Sequence, residues 1–214
     1  IRSTARQYRD HPALLAIAIG NEIPAPIVRW HGARAIEHHL KNLWETVKEA
    51  DPGALVTYVN YPTTEYLELP FLDVVAFNVY LESMDRLSAY LARLHNIAGD
   101  RPLLMGEIGL DSLRNGETGQ AHAIEAQLAT AFGAGLAGAF VFSWTDEWHR
   151  AGAQVDDWAF GLTHVDRTPK PALAAVSAAF ADVPFSAERS WPSVSVVVCT
   201  YNGAPTLEET LRGL

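Results

Sequence analysis

The sequence predicts an α/β fold with a parallel sheet, because short apolar runs alternate with longer segments of helical periodicity over most of the chain. The apolar runs are continuous rather than alternating in polarity, as expected for strands that are covered on both faces. No G-x-G-x-x-G phosphate loop follows an early strand, which disfavours a dinucleotide-binding sheet. A β/α barrel is therefore the favoured architecture.

Five strands and four helices are predicted within residues 1–181. The strands span 14–20, 54–60, 74–80, 102–107 and 138–144, and the helices span 33–50, 84–98, 119–132 and 171–181. Residues 182–192 form a polar, proline-bounded linker. A strand at 194–200 and a helix at 206–212 follow. Because one strand and one helix cannot bury a core, residues 193–214 are expected to open a second domain.

Composition and charge narrow the class of protein. The 214 residues are 49% hydrophobic and include six Trp, which is ample for a globular core. The formal charge of -9, with no lysine or arginine cluster, argues against nucleic acid and anionic membranes as partners. A lone cysteine, Cys199, excludes an internal disulfide and a Cys-based zinc site. With no signal peptide or membrane-spanning apolar stretch visible, we expect a cytoplasmic location.

Four of the five strands end in polar or aromatic side chains. The carboxyl ends of barrel strands meet at one rim, so Glu22 and Glu107 are expected to face each other. Two carboxyl groups about 5–5.5 Å apart are the pair that a retaining glycosidase uses as acid/base and nucleophile. Each residue alone could instead cap a helix or pack in the core. The candidates for contacting a sugar are Asn21, Asn78, Tyr80, Trp144, Asp146, Glu147 and Trp148.

Four motifs carry a resemblance to a known group of enzymes. AIGNEI, NVY, MGEIG and GAFVFSWTDEW resemble the second half of the barrel of clan A glycoside hydrolases, especially the branch of β-galactosidases, β-glucuronidases and β-mannosidases. The resemblance covers residues 1–181. It implies a (β/α)8 TIM barrel represented by strands four to eight, with Glu22 as acid/base and Glu107 as nucleophile. It also implies that Tyr80 lies near the nucleophile and that Trp144 lines the sugar site.

The resemblance also implies that part of the barrel is missing. Strands one to three would precede Ile1, which opens on a helical pattern without an initiator Met. We therefore expect the missing half of the barrel to be supplied either by an N-terminal segment of the same polypeptide or by another chain. Alone, the half-barrel is expected to be marginally stable and to self-associate through its open sheet edges.

The C-terminal stretch carries a second resemblance. WPSVSVVVCTYNGAPTLEETLRGL is similar to the first strand, turn and helix of the large inverting family of GT-A glycosyltransferases, whose fold is Rossmann-like. It implies that residues 193–214 begin a glycosyltransferase domain. A nucleotide sugar and a divalent metal are expected only for that domain, whose metal-binding motif would lie beyond Leu214, and no cofactor is expected for the barrel.

Two functional hypotheses follow, and both have carbohydrate as the ligand. The first is a retaining β-glycosidase or transglycosylase domain fused to a nucleotide-sugar glycosyltransferase. The second is a non-catalytic barrel that holds the acceptor glycan for the glycosyltransferase. No metal site is predicted, since the adjacent histidines His38 and His39 point in different directions from one helix.

Overall fold

A five-stranded parallel sheet forms the centre of the fold. The computed structural model of the chain describes residues 1–183, 190, 193, 195, 197, 198 and 203–212. The strands are β1 (Ile17–Asn21), β2 (Val56–Asn60), β3 (Val75–Asn78), β4 (Leu103–Ile108) and β5 (Gly138–Val141). They lie side by side in chain order, and every neighbouring pair is parallel. Sequential parallel neighbours joined by crossovers are the arrangement of a β/α barrel, so the predicted partial barrel is confirmed.

The helices are α1 (Arg2–Tyr8), α2 (Ala25–His31), α3 (Ala33–Ala50), α4 (Met84–Ala98), α5 (Ser112–Gly133) and α6 (Pro171–Ala181). A further helix, α7 (Ala204–Arg212), has no buried residue. A 3-10 turn at Pro62–Thr64 stands in the connection between β2 and β3. A small antiparallel hairpin, β6 (Trp148–Arg150) and β7 (Ala153–Val155), follows β5.

The hydrophobic core lies between the sheet and these helices. On β3, Val75 and Phe77 are buried in one cluster with Leu87, Leu91 and Leu94 of α4. Side chains alternate along a strand, so Asn78 lies on the opposite face of the sheet, which is the interior of the barrel. The outer face therefore supplies most of the burial, and on the inner face Asn78 lies beside Val59 and Gly106.

Most predicted elements are present, with differences at their ends. The helices at 33–50, 84–98 and 171–181 have the predicted bounds, whereas α5 begins at Ser112 rather than at residue 119. Asp111 caps α5 by accepting a hydrogen bond from the Leu113 amide (3.0 Å), and Gly116 interrupts it at a positive φ of 73°. The first turn of α5 lies between this N-cap and the break at Gly116, so it is too short to show helical periodicity in the sequence.

The largest difference lies at the end of β5. The predicted strand runs to Trp144, but β5 ends at Val141. The Phe142 amide makes the last bond to β4, at 2.8 Å to the Ile108 carbonyl. From Ser143 onward the backbone bonds instead to residues 160–163. The C-terminal end of this motif is therefore a loop that is paired with a distant segment.

The C-terminal predictions fall mainly on residues that the structure does not describe. The linker at 182–192 and the strand at 194–200 lie largely outside the described residues, and α7 includes the helix predicted at 206–212. The glycosyltransferase-like domain stays a prediction. Within the described ranges, no helix combines the length and apolar character that a bilayer crossing requires.

Gly161 is expected to be essential for the fold of the loop after β5. A Cβ there would overlap the backbone of Thr145 and Asp146, whereas a Cβ at Gly133 in α5 meets no atom within 4 Å. Gly161→Ala should therefore lower the free energy of unfolding by about 1–3 kcal/mol. Gly133→Ala, the matched control, should raise it by about 0.5–1 kcal/mol because alanine favours helix. Urea unfolding of the purified protein measures both, and equal stabilities for the two variants would contradict this packing.

Candidate active site

A cavity of about 560 Å³ lies at the C-terminal ends of the strands. Glu22, Glu107 and Tyr80, three of the predicted site residues, all line it. The rest of its wall is made of aromatic rings on one part and of polar residues from the start of α5 on another. A concave, largely apolar pocket with a few converging polar groups is the usual form of a small-molecule site.

Glu22 stands on a strained backbone directly after β1. Its φ of 46° lies in the left-handed region, which is uncommon for a residue with a side chain. The Glu22 amide donates to the Val59 carbonyl of β2 at 2.9 Å, and the next amide, that of Ile23, donates to the Tyr58 hydroxyl at 2.8 Å. These bonds hold the chain in a conformation that directs the Glu22 side chain into the cavity. Such strain is typical of functional positions.

Asn78 orients the Glu22 carboxylate. Its side chain is fully buried, and its amide nitrogen donates to Glu22 Oε1 at 2.9 Å and to Asn21 Oδ1 at 3.2 Å. Asn78 was predicted to contact a sugar, but the structure places it behind the cavity with its amide nitrogen bonded within the protein. Gly106 makes room for it, since a Cβ there would lie 2.7 Å from Asn78 Oδ1.

Glu107 is bound by Tyr80. The Tyr80 hydroxyl donates to Glu107 Oε2 over 2.5 Å. Burial raises the pKa of Glu107 above its ordinary value, and the negative charge of Glu22 adds to the rise, while the bonds from Tyr80 and Asn78 oppose it. Burial and the Glu107 carboxylate also raise the pKa of Tyr80, so this hydroxyl stays protonated and remains a donor.

Five aromatic rings form a continuous wall, which we call the aromatic wall: Tyr80, Phe142, Trp148, Trp158 and Phe160. Tyr80 contacts Phe142 and Phe160, with ring centroids 6.4 and 5.8 Å apart. Phe142 contacts Trp148 at 5.2 Å, and Phe160 contacts Trp158 at 6.3 Å. These distances and the edge-on angles are those of favourable aromatic pairs. Sequence reasoning identified Tyr80 and Trp148 but missed the other three rings.

The remaining predicted site residues lie outside the wall. Trp144 is 60% exposed and its carbonyl accepts from the Thr163 amide, so Trp144 belongs to the paired loop after β5. Asp146 is partly buried against Lys170, with 2.7 Å between Oδ2 and Nζ. Glu147 pairs with Arg167 at the surface. The chain leaves the sheet at Phe142, and this departure directs Trp144, Asp146 and Glu147 away from the cavity. Asn21 does line it.

The start of α5 contributes polar groups that the sequence did not single out. Asp111, Arg114 and Asn115 line the cavity, and Glu82 joins them from the segment before α4. Arg114 Nε lies 3.4 Å from Asp111 Oδ2, and most of the Arg114 side chain is exposed. In the part of the chain that the structure describes, no group of three or more His, Cys, Asp or Glu side chains is arranged to hold a metal ion.

Solved structures share the fold of this chain at low sequence identity. A β-glucuronidase from Bifidobacterium dentium, complexed with coumarin-3-O-glucuronide, has a TM-score of 0.69 at 20% identity over 88% of this chain. A GH5_18 protein from Streptomyces cattleya in complex with GlcNAc has a TM-score of 0.72 at 19% identity over 90% of this chain. A β-glucuronidase from Ruminococcus gnavus has a TM-score of 0.65 at 16% identity over 84% of this chain. The matched regions span 34%, 53% and 35% of these three proteins.

The sequence itself matches a described family over most of its length. No curated protein sequence matches the chain. Residues 1–185, however, match the family described as glycosyl hydrolases family 2, TIM barrel domain. This match covers the sheet, its helices and every residue of the cavity. The chain therefore belongs to the TIM barrel domain family of the family 2 glycosyl hydrolases.

Proposed function

We propose that this barrel is a retaining β-glycosidase or transglycosylase that acts on a glycan. The observation that carries the proposal is the pair of carboxylates, Glu22 and Glu107, in one partly buried cavity with separate neutral donors. The pKa of Glu107 is raised by burial, which makes an ionised Glu107 a poorly solvated and hence reactive carboxylate. The separation of the two carboxyl groups that retention requires stays a prediction.

The two carboxylates have different roles in the first step. Glu107 attacks the anomeric carbon and forms a glycosyl ester while the bond from that carbon to the leaving oxygen breaks. Glu22, held by the Asn78 amide, gives its proton to that oxygen. In the second step Glu22 takes a proton from water, the water oxygen attacks the anomeric carbon, and the ester bond to Glu107 breaks. A sugar hydroxyl in place of water gives transglycosylation.

We further propose that the barrel works beside a glycosyltransferase domain that begins at residues 193–214. This part rests on the resemblance of the C-terminal stretch alone. The nucleotide sugar and the divalent metal belong to that domain, and the barrel would trim or remodel the glycan made there. A barrel that binds the acceptor glycan without turnover is the second candidate, and the exposed tryptophans of the aromatic wall favour it as a binding surface.

Glu107→Gln in the full-length protein is expected to abolish turnover of 4-nitrophenyl β-glycosides, since the nucleophile is removed. It should also raise the melting temperature at pH 7. A raised pKa means that the folded state binds the proton of Glu107 more tightly than the unfolded state, so ionised Glu107 lowers stability. The gain should shrink as the pH falls through the raised pKa. Wild-type turnover in Glu107→Gln would contradict the assignment, and an inactive wild type would favour the binding candidate.

Glu22→Ala is expected to lose activity on substrates with poor leaving groups and to keep part of it on activated aryl glycosides, because those leave without protonation. Added azide should restore turnover and give a β-glycosyl azide, whose anomeric configuration is measured by NMR. An α-glycosyl azide, or an α-anomer as the first product of the wild type from a β-glycoside, would contradict retention.

Tyr80→Phe is expected to shift the acidic limb of the kcat/KM pH profile to higher pH by about one unit. The variant lacks the hydroxyl that stabilises ionised Glu107. The pKa of Glu107 therefore rises further, and the nucleophile ionises only at a higher pH. Tyr90→Phe is the matched control, because Tyr90 makes the same bond to Glu65, at 2.7 Å, away from the cavity. An unmoved acidic limb in Tyr80→Phe, or equal shifts in both variants, would contradict this role.

A further inference from the structure

Four buried polar side chains converge on the backbone of residues 159–161. We call them the polar clamp: Asp111, Ser112, Gln120 and Lys170. Asp111 Oδ1 accepts from the Ala159 amide at 3.2 Å, and Ser112 Oγ donates to the Ala159 carbonyl at 2.9 Å. The Gln120 side-chain amide donates to the carbonyls of Ala159 and Gly161, both at 3.3 Å. Lys170 Nζ adds a longer contact of 3.4 Å to the Ala159 carbonyl.

Burying four polar side chains is costly unless each is hydrogen-bonded. Here the four side chains bond to residues 159–161. Phe160 lies within this stretch, Trp158 directly precedes it, and both rings line the cavity. The polar clamp therefore fixes the position of two rings of the aromatic wall. A ring that is already held in place loses little conformational entropy when a ligand binds it.

The two tryptophans form the outer end of the aromatic wall. Trp148 and Trp158 remain 38% and 37% exposed although both line the cavity. Their ring centroids are 6.4 Å apart, and their planes differ by 33°, so the rings are closer to parallel than the other pairs in the wall. Tyr80, which binds Glu107, is one ring contact from Phe160, and Phe160 is one further contact from Trp158. One phenylalanine ring, Phe142 or Phe160, therefore separates Tyr80 from each tryptophan along the wall.

We propose that Trp148 and Trp158 form a second sugar subsite, so that the substrate is a glycan of at least two linked sugar units. The inference rests on the proposed carbohydrate function of the same cavity. The C–H face of a sugar ring is apolar and packs on the tryptophan faces, and its burial there removes apolar surface from water. Glu82 and Arg114, which line the same cavity, supply an acceptor and a donor for the hydroxyl groups at the ring edge.

The subsite is tested by binding rather than by turnover. In full-length Glu107→Gln, calorimetry would measure the affinity for β-linked oligosaccharides of one to four units, built of glucose, galactose, mannose or N-acetylglucosamine. In at least one series the affinity should rise from one unit to two. Trp158→Ala in the same background should then weaken binding of two or more units by about tenfold and change binding of one unit by less than about twofold.

Three further variants make the result specific. Trp158→Phe keeps a flat ring and should retain most of the gain from the second unit. Trp148→Ala should reproduce the loss, and it provides an independent test if Trp158→Ala fails to fold. Trp30→Ala, at a tryptophan that is 85% exposed and outside the cavity wall, should bind every length like its parent.

The outcomes separate this inference from the proposed hydrolysis. Affinity that does not rise beyond one unit in any series overturns the subsite, and so does an equal loss for one and two units in Trp158→Ala. Either result is compatible with a wild type that hydrolyses aryl β-glycosides, so the proposed function would stand. Tryptophan-dependent binding of two units in a protein whose wild type hydrolyses none of these sugars would support the subsite and contradict the hydrolase.

Discussion

Two carboxylates share one partly buried cavity, and the cost of burying Glu107 beside Glu22 is the constraint around which the neighbouring side chains are arranged. Burial and the charge of Glu22 both raise the pKa of Glu107. Tyr80 and Asn78 oppose that rise with neutral donors, and Asn78 also binds Glu22. The position of Asn78 in turn requires a glycine at residue 106, because any side chain there would overlap Asn78. A glycine in a central strand, normally unfavourable, is explained by the needs of the carboxylate pair.

A second constraint holds the loop that carries most of the aromatic wall. The segment after β5 is long and leaves the sheet early, so little of its order comes from strand pairing. Asp146, which is partly buried, forms an ion pair with the buried Lys170, and Asp146 also accepts from the Gly161 amide at 2.8 Å. Removing one partner of such a pair would leave an uncompensated buried charge. Asp146 thus stabilises the cavity from behind, although its sequence position after a barrel strand suggested contact with the sugar.

Local pattern predicted the fold and the parts of the site that lie close to strand ends. Helical periodicity located α3 and α4 at both ends, and the shared rim of parallel strands predicted that Glu22 and Glu107 lie at one site. The position of Tyr80 near Glu107 was implied by the family resemblance. Trp144 was misplaced because the pairing of residues 143–146 with 160–163 is a non-local interaction that no periodicity encodes. Trp158 and Phe160 carried no signal for the same reason, since their position depends on buried partners within α5 and at the starts of α5 and α6 and not on their immediate neighbours in the chain.

The chain contains the same tyrosine–glutamate contact in two settings, and the difference between them bears on mechanism. Near α4, Glu65 accepts from Tyr90 and also from Arg93 Nε at 2.9 Å, and the bond from Arg93 is the main reason why its pKa is lowered. In the cavity Glu107 accepts from Tyr80, and burial raises its pKa. An arginine partner stabilises a carboxylate as a permanent anion and so weakens it as a nucleophile. Neutral donors leave Glu107 oriented and still able to form a bond to carbon, which is the property that the proposed first step requires.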